Sequence, residues 1–417
     1  MILSDFIDFN PKRSLEKGVA APFVEMADLQ ESERDITQIG NRVFSGGGSK
    51  FSNGDTLFAR ITPCLENGKT AKACGLPKDT VGHGSTEFIV MAAKDRSIDE
   101  DFVYYLARLP EFRMFAKSRM EGTSGRQRVS WQALADFEIS DIDEPRRKQI
   151  GEILASLDNR ITALRGVNKT LDEMARTLFK DWFVDFGPVR AKIAGNRPPH
   201  LSVDVAALFP DTFDQQKIPS GWKSVPLDQI ADFLNGLALQ KHPGTGVDDL
   251  PVIKIAELRS GINANSGRAS TSIPQKYVVH DGDIIFSWSG SLVQKIWAGG
   301  RGALNQHLFK VTSEHYPKWL HYYWVDYHLP AFQAIAASKA TTMGHIQRHH
   351  LTEAKAIIGD DAVMQMADSL IAPIFGQIVA NATECRTLAL LRDCLIPKLY
   401  SGEWTPSDAT DAVGDVA

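Results

Sequence analysis

The chain has 417 residues, of which 43% are hydrophobic and 23% are charged, as in globular proteins large enough for two or three domains. Its formal net charge of −5 counts against a free-standing nucleic-acid-binding protein, which usually carries a basic domain. The four cysteines form no C-x-x-C pair, so the sequence indicates neither a zinc site nor a redox pair and fits a reducing cytoplasm.

The first elements along the chain are short apolar runs separated by turn signals. Thr56–Ile61 and Phe88–Met91 are predicted strands, the glycine-rich stretch 45–49 is a predicted loop, and Phe102–Lys117 is a predicted helix. Together they predict a first mixed α/β domain over 1–144. No secretory signal precedes them, and no apolar run comes near the ~18 residues of a membrane span, so we expect a cytoplasmic protein without a membrane partner.

A long helix is predicted over 145–186. Apolar residues recur along it every seven residues, with a second set between them, which is the pattern of a coiled coil. Asn168 lies in this seam, where a buried amide can fix the register of two helices. The predicted seam residues are Ile150, Leu154, Leu157, Ile161, Leu164, Asn168, Leu171 and Leu178.

Residues 187–221 contain five prolines and few apolar runs, so they predict an extended linker with little core of its own. Beyond it, the apolar runs Pro251–Ile255 and Ile284–Trp288 and a predicted helix over Trp319–Ala337 indicate a second domain at 222–361.

A second long helix is predicted over 362–404, followed by a disordered tail over 405–417. Its seam residues are Ile371, Ile374, Ile378, Asn381, Leu388 and Leu395. We expect the two long helices to pair with each other. A coiled coil between two copies of the chain is the structural alternative.

The two halves match in order along the chain. Residues 22–29 match 251–258, 54–58 match 282–286, 87–90 match 308–311, and 123–125 match 341–344. Colinear matches of this extent indicate a tandem duplication. The predicted fold class is therefore α+β, with two mixed α/β recognition domains separated by two long antiparallel helices.

Strings typical of enzymes do not hold up. Gly68-Lys69-Thr70 resembles the end of a phosphate-binding loop, but that motif requires glycine where Pro63 stands. Asp55 and Asp283 each follow a glycine at a strand start, where turn formation explains them. His345, His349 and His350 are interpreted as surface histidines rather than metal ligands. We expect no catalytic residue and no metal.

Basic and polar side chains are concentrated in two loops that occupy matching places in the halves. Arginine, glutamine and histidine can contact base edges, while lysine, serine and threonine suit phosphates. A solvated helix face with a polar loop is the alternative for either half alone. The candidate DNA-contacting residues are Lys69, Lys72, Arg113, Lys117, Thr123, Ser124, Arg126, Gln127, Arg128, Lys295, Arg301, Thr341, Thr342, His345, Gln347, Arg348 and His349.

The sequence resembles the specificity subunits of type I restriction–modification systems over its whole length. The matching strings are ILASLDNRI at 153–161, NKTL at 168–171, LFKDWFVDF at 178–186, LFPD at 208–211, IPSGW at 218–222 and LIPKLYSGEW at 395–404. The resemblance does not identify residues that contact bases, because the recognition domains vary between members of the family.

The resemblance implies a non-catalytic subunit that binds a bipartite, asymmetric site on double-stranded DNA. It also implies partners: two methyltransferase subunits that use S-adenosylmethionine and, in some complexes, restriction subunits that use ATP and Mg²⁺. No cofactor is expected on this chain itself. A metal-dependent nuclease and a coiled-coil scaffold without DNA binding are the alternative functions.

Overall fold

The computed structural model describes residues 1–36, 38–123, 125–338 and 344–414. The first half of the chain consists of short strands followed by helices. The strands are β1 (Ile7–Phe9), β2 (Ala20–Val24), β3 (Gly40–Val43), β4 (Ser49–Phe51), β5 (Thr56–Ala59), β6 (Thr70–Lys72), β7 (Gly82–Gly84) and β8 (Phe88–Ala93). The helices are α1 (Arg96–Arg108), α2 (Pro110–Ser118), α3 (Trp131–Ala135) and α4 (Glu144–Phe179).

The second half repeats this plan after a π-helical turn at Lys180–Val184. Its strands are β9 (Lys223–Pro226), β10 (Asp232–Asn235), β11 (Leu250–Ile253), β12 (Arg268–Ala269), β13 (Val278–Val279), β14 (Ile284–Ser287), β15 (Gln294–Ile296), β16 (Gly302–Leu304), β17 (Leu308–Thr312) and β18 (Lys355–Ile358). Its helices are α5 (Gly187–Ile193), α6 (Val203–Leu208), α7 (Leu227–Ile230), α8 (Ile255–Ser260), α9 (Lys318–Ser338), α10 (Arg348–Glu353), α11 (Asp361–Ser401) and α12 (Pro406–Gly414).

The chain divides into two compact units. The first unit is Met1–Thr162 with Thr387–Ala417, and the second is Ala163–Arg386. The two long helices, α4 and α11, each contribute residues to both units. The units therefore differ from the predicted domains, because each includes a segment of both long helices.

The two units contain the same pair of sheets. In the first unit the strand orders are β1-β8-β5-β6 and β3-β2-β7-β4, and in the second they are β10-β17-β14-β15 and β12-β11-β16-β13. In the two sheets of each unit, one pair of neighbouring strands named above is parallel and the others are antiparallel. The parallel pairs are β2 with β7 and β11 with β16. Identical order and identical strand directions confirm the predicted tandem repeat.

The sheet register corrects one of the sequence matches. Phe58 on β5 lies opposite Ile89, and its counterpart Phe286 on β14 lies opposite Phe309. Ile89 therefore corresponds to Phe309, whereas the sequence match aligned it with Lys310. The mismatch arose because every residue of β8 is buried, so the strand has no inside–outside alternation from which a register can be read.

Each long helix begins at an aspartate that caps it. The Asp143 carboxylate accepts a hydrogen bond from the Arg146 backbone N–H at 3.1 Å, and Asp360 accepts one from Val363 N–H at 3.0 Å. Capping sets the first helical residues at Glu144 and Asp361, each one residue before the predicted start.

In the first unit, the two long helices run antiparallel. Arg146 Nη2 donates to the Trp404 carbonyl at 3.1 Å, and Arg392 Nη1 lies 2.5 Å from Asp158 Oδ1. From Arg146 to Asp158 the residue numbers rise along α4, while those of their partners fall from Trp404 to Arg392. The Tyr105 hydroxyl of α1 donates to Asp158 Oδ2 at 2.7 Å, which ties the head of this unit to the helix pair.

In the second unit, amides join the two long helices. Asn381 Nδ2 donates to Asn168 Oδ1 at 2.8 Å, and Asn168 Nδ2 donates to the Ile378 carbonyl at 3.0 Å. The buried seam residues of the two units are Ile150, Leu154, Leu157, Ile161, Ile371, Asn381, Leu388 and Leu395, and the half-buried ones are Leu164, Asn168, Leu171, Leu178, Ile374 and Ile378.

The predicted extended linker is wrong. Residues 187–221 form α5 and α6, and Val189 and Phe209 are buried in the core of the second unit. Phe209 packs edge-on against Trp182, with ring centroids 4.9 Å apart. Counting prolines missed this contribution, because a few widely spaced aromatic residues supply large buried areas without forming an apolar run.

The predicted disordered tail is also wrong over most of its length. Residues Pro406–Gly414 form α12, and Ala409 is fully buried. The Thr405 hydroxyl accepts the Asp408 N–H at 3.2 Å, while the Asp408 carboxylate accepts the Thr405 N–H at 2.8 Å. These reciprocal bonds form a capping box, which stabilises even a short helix.

By length and composition, one described helix, α11, could cross a membrane, with a mean hydropathy of 1.4 over an 18-residue window. The protein itself uses the apolar residues of this helix: Ile371, Leu388 and Leu395 are buried. Arg392 on the same helix is buried and paired with an aspartate. Part of the apolar character of α11 is therefore used inside the protein, although only 22% of that 18-residue window is buried.

We predict that Arg392→Met destabilises the protein by about 3–5 kcal/mol, because it leaves Asp158 buried without a charged partner. Arg42→Met serves as the control, since its ion pair with Glu25 is exposed and is worth at most about 1 kcal/mol. The free energy of unfolding from urea titration measures both effects. Equal losses in the two variants would contradict the role given to the buried pair.

We also predict a pH-dependent contribution from His321. This residue is 1% exposed, neither ring nitrogen has a partner among the described residues, and burial, with Lys318 adding to it, lowers its pKa to about 4. Between that value and the unfolded pKa of about 6.5, only the unfolded state binds the proton, so stability falls as pH falls through this window.

The expected loss between pH 6.5 and 4 is ~3 kcal/mol. His321→Leu should remove this part of the pH dependence while acidic groups keep theirs. Unfolding free energies of both proteins at pH 4.5 and pH 7 measure the difference. The same pH dependence in variant and wild type would show that His321 titrates normally.

Candidate nucleic-acid interface

In the first unit, the polar loop that follows α2 is closed and attached to the end of a strand. Glu121 and Arg128 exchange backbone hydrogen bonds of 2.9 and 2.8 Å, which close the loop. Thr62 N–H donates to the Gln127 carbonyl at 3.1 Å, and Val129 N–H donates to the Arg60 carbonyl at 3.0 Å. We call residues 60–62, 87 and 121–128 the first loop surface.

Arg128 holds this loop rather than facing solvent freely. Its Nε and Nη2 atoms donate to the Glu87 carboxylate at 2.7–3.0 Å, and Nη1 donates to the Arg126 carbonyl at 3.2 Å. The hydrogen bonds with Glu87 raise the pKa of Arg128. Arg126 is exposed, and its side chain has no hydrogen bond or ion pair within the described residues, so it is the free cation of the loop.

Other predicted contact residues of this unit are occupied by the protein itself. Lys72 Nζ lies 2.8 Å from a Glu100 oxygen and 2.6 Å from Asp101, and these bonds raise its pKa although burial opposes them. Lys69 Nζ donates to the Met26 carbonyl at 2.9 Å, and Lys117 pairs with Glu66 at 2.9 Å. Lys69 and Lys72 thus have partners within the fold, and their contact with DNA phosphates stays a prediction.

Of the other predicted residues of this unit, two lie in the loop, Arg113 lies on the preceding helix α2, and one cannot be placed. Burial and the charge of Arg108 lower the pKa of Arg113, which is half-buried. Thr123 is exposed in the loop, and Gln127 is half-buried there. Ser124 lies outside the described residues.

The second unit has the same backbone frame. Ile346 N–H donates to the Trp288 carbonyl at 3.0 Å, and Gly290 N–H donates to the Gly344 carbonyl at 2.8 Å. These bonds match those of Val129 with Arg60 and of Thr62 with Gln127. Ser289 and His345 form the bridge that corresponds to Ile61 and Arg128. We call residues 235, 288–290, 306–307 and 344–350 the second loop surface.

The side chains on the two frames differ. Arg60, Glu87 and Arg128 of the first loop surface correspond to Trp288, His307 and His345 of the second. His307 Nδ1 is hydrogen-bonded to Ser289 Oγ at 3.0 Å. The Trp288 ring lies 5.8 Å from the His307 ring and 6.3 Å from the His345 ring, so aromatic and imidazole groups replace the ion pair.

Several predicted residues of the second unit surround this surface. Arg348 is exposed and lies over the Phe309 ring at 5.7 Å, while Gln347 and His349 are exposed on the same segment. Away from it, Lys295 donates to the Arg259 carbonyl at 3.0 Å, and Arg301 is exposed. Thr341 and Thr342 lie outside the described residues.

His349, His350 and Glu353 bring possible metal-ligand atoms within 4.8 Å of one another. The Nδ1 atom of His350, however, accepts the Gln347 N–H at 2.9 Å and so caps α10. This nitrogen already has a structural task, and of the two histidines only His349 lies at the surface, since His350 is buried.

Asp55 and Asp283, the two repeated aspartates, each stabilise a chain turn. Asp55 accepts the Ser52 N–H at 2.7 Å and pairs with Arg13, and Asp283 accepts the His280 N–H at 2.8 Å and pairs with Lys310. Each carboxylate thus closes a turn before a strand and is neutralised by a cation. This arrangement agrees with the turn interpretation and leaves neither group available as a nuclease carboxylate.

Sequence reasoning missed Arg60, Glu87, Trp288 and His307, because they stand alone at strand ends rather than in polar runs. A comparison of the two sequence repeats could have identified two of them. Two of these residues come directly after the matched strands β5 and β14, where a change from arginine to tryptophan breaks an otherwise similar pattern.

Known proteins that resemble this chain share one description. No family model matches it. It is 24% identical over 326 residues to the type I restriction enzyme MjaIX specificity subunit of Methanocaldococcus jannaschii, which covers 74% of this chain and 70% of that protein. It is 21% identical over 369 residues to the HindI specificity subunit of Haemophilus influenzae, covering 76% and 80% respectively.

The fold has a counterpart among solved structures. The crystal structure of the type I restriction–modification system S subunit from M. genitalium aligns with a TM-score of 0.52 and 13% identity, over 96% of this chain and 95% of that one. The resemblance predicted from the sequence is thereby confirmed: this chain is similar in sequence to type I restriction enzyme specificity subunits and has the fold of the M. genitalium S subunit.

Proposed function

We propose that this chain is the DNA sequence-specificity subunit of a type I restriction–modification complex. In this proposal, each loop surface contacts one half of a bipartite, asymmetric site. The observation that carries it is the pair of matching backbone frames with different side chains. A duplicated frame suits two similar contacts with duplex DNA, and different side chains suit two different half-sites.

The chemistry of each surface supports base and phosphate contacts. Arg126 offers an uncommitted guanidinium next to the Gln127 amide, and such donors suit guanine and adenine edges or phosphates. The second surface offers Gln347 and Arg348 beside the Trp288 ring. Aromatic and amide groups favour contacts that depend less on net charge, which fits a protein whose total charge is negative.

We further propose that α4 and α11 bind two methyltransferase subunits and, in complexes that cleave DNA, restriction subunits. Apolar side chains remain exposed on these helices, Val167, Met174 and Leu370 in the second unit and Leu390 in the first. S-adenosylmethionine, ATP and Mg²⁺ would be bound by those partners, and this chain would be non-catalytic. A cytoplasmic location is proposed, and the four free cysteines fit it.

The proposed function is tested by sequencing methylated adenine across the genome of cells that express this chain with its methyltransferase partner. We expect a bipartite, asymmetric motif that disappears when the chain is deleted. Re-expression of the wild-type chain should restore it. A methylation pattern that is unchanged by the deletion would contradict the proposal.

We predict that Arg126→Ala weakens binding to the cognate duplex by about 5- to 150-fold, corresponding to the loss of one good contact of about 1–3 kcal/mol. The melting temperature should not change, since Arg126 is exposed. Lys78→Ala is the control, because Lys78 is also an exposed cation of the first unit but lies outside the loop surface.

Arg128→Ala tests the structural role of Arg128, which is to hold the loop in place, and not a direct contact with DNA. This variant leaves Glu87 without its partner, so the loop should exchange its amide hydrogens faster and DNA affinity should fall with it. Fluorescence anisotropy measures the DNA affinity, and hydrogen exchange measures the opening of the loop.

The Arg126 prediction has a clear negative outcome. If Arg126→Ala binds DNA as tightly as Lys78→Ala, the loop does not contact DNA.

A further inference from the structure

The first unit contains a cavity of about 400 Å³ beside the first loop surface. Four of its lining residues are cations, Lys12, Arg13, Lys50 and Arg60, and none of its lining residues is a carboxylate. This concentration of positive charge stands in a chain whose net charge is −5. The remaining polar lining residues, Asn10, Ser49 and Thr86, are neutral.

The fold positions two of these cations rigidly. Arg13 Nη1 donates to the Lys50 carbonyl at 3.0 Å, and Lys50 Nζ donates to the Arg13 carbonyl at 3.0 Å. Arg13 also pairs with Asp55, but Asp55 is shared with Arg96, each pair at 2.7 Å. Arg96 also approaches Glu100 at 3.8 Å, whereas Lys12, Lys50 and Arg60 form no ion pair within the described residues, so the charge around the cavity is not balanced.

Arg60 supplies the strongest indication of a ligand. Its Nε atom is buried and has no hydrogen-bond partner within the described part of the chain. The Arg60 backbone, in contrast, is fully used, because its N–H donates to the Glu87 carbonyl at 3.0 Å and its carbonyl accepts from Val129. The Nε atom is closed to solvent, so an anion in the cavity would meet the Arg60 guanidinium through its Nη atoms, which form no hydrogen bond within the described residues.

The second unit lacks two of these cations. By strand register, Lys50 corresponds to Val278, since Lys50 lies opposite His83 and Val278 opposite Ala303. Arg60 corresponds to Trp288. The cavity is therefore not a by-product of the repeated frame, because two of its four charges have been introduced into one copy only.

We propose that this cavity binds a phosphate group of the nucleic-acid backbone. The proposal rests on the proposed function and adds that the first unit carries a phosphate anchor which the second unit lacks. Arg60 belongs both to the cavity and to the first loop surface, so a bound phosphate would lie next to the residues proposed to contact bases. Anchoring would come from charge, and discrimination from the loops.

The test uses the full chain with Lys50→Met and Arg60→Met, each of which keeps an apolar stem and removes the charge, and with Lys78→Met as the matched control. DNA affinity is measured between roughly 50 and 300 mM salt, a range over which the Debye length shortens by a factor of about 2 to 3. Each cavity variant should flatten the slope of log K against log salt by about 0.9, while the control keeps the wild-type slope. Inorganic pyrophosphate, titrated by calorimetry, probes the anion site without DNA.

We expect pyrophosphate to bind the wild type and the Lys78 variant, and to bind both cavity variants at least about tenfold more weakly, as for loss of a charge-assisted contact. Arg60→Lys, which retains charge, should keep most of the binding and guards against a variant that fails to fold. Unchanged salt slopes in folded cavity variants would overturn the proposal.

The two proposals can fail separately. If DNA binds but pyrophosphate does not, and the cavity variants behave as wild type, the anchor is wrong and the proposed function stands. If pyrophosphate binds at the cavity but duplex DNA does not bind the chain, the ligand is a free phosphate compound, which overturns both the backbone assignment and the proposed function.

Discussion

The buried ion pair between Asp158 and Arg392 is the constraint on which the first unit depends. Both side chains are almost completely buried, and Tyr105 donates its hydroxyl to the same aspartate. Burial and then the Asp158 charge raise the pKa of Tyr105 well above its usual range, so this hydroxyl stays a donor. Since a buried charge without a partner is strongly destabilising, α1, α4 and α11 must meet in this register or in none.

In the second unit the same task falls to neutral groups. Asn168 and Asn381 bond to each other, and Gln377 completes the set by donating to Asn381 at 2.7 Å. A shift of the helix register costs less free energy for buried amides than for buried charges. Each buried amide still requires a hydrogen-bond partner. Apolar seam residues provide most of the burial in both units, and it is these few polar contacts that distinguish one register from the next.

The sequence predicted the elements with strong periodicity and missed those without it. The heptad pattern placed both long helices to within one residue at their starts, because every seventh position repeats the same physical requirement. The linker prediction failed, since Val189 and Phe209 are buried in the core at isolated positions. The register of β8 failed because a strand buried on both faces has no alternation to reveal which residue faces which.

The candidate site shows the same division between pattern and geometry. Runs of positive charge led to these two loops, but charge alone cannot tell Arg126, which is free within the described residues, from Arg128, which is bound to Glu87. In both units the frame is built by backbone hydrogen bonds. Three half-buried side chains project from it in each unit: Arg60, Glu87 and Arg128 in the first, and Trp288, His307 and His345 in the second. Because the backbone carries the folding, the frame accepts an ion pair in one unit and an aromatic cluster in the other. Side chains at these three places can therefore change without loss of the fold, which is the physical requirement for a surface whose specificity diverges.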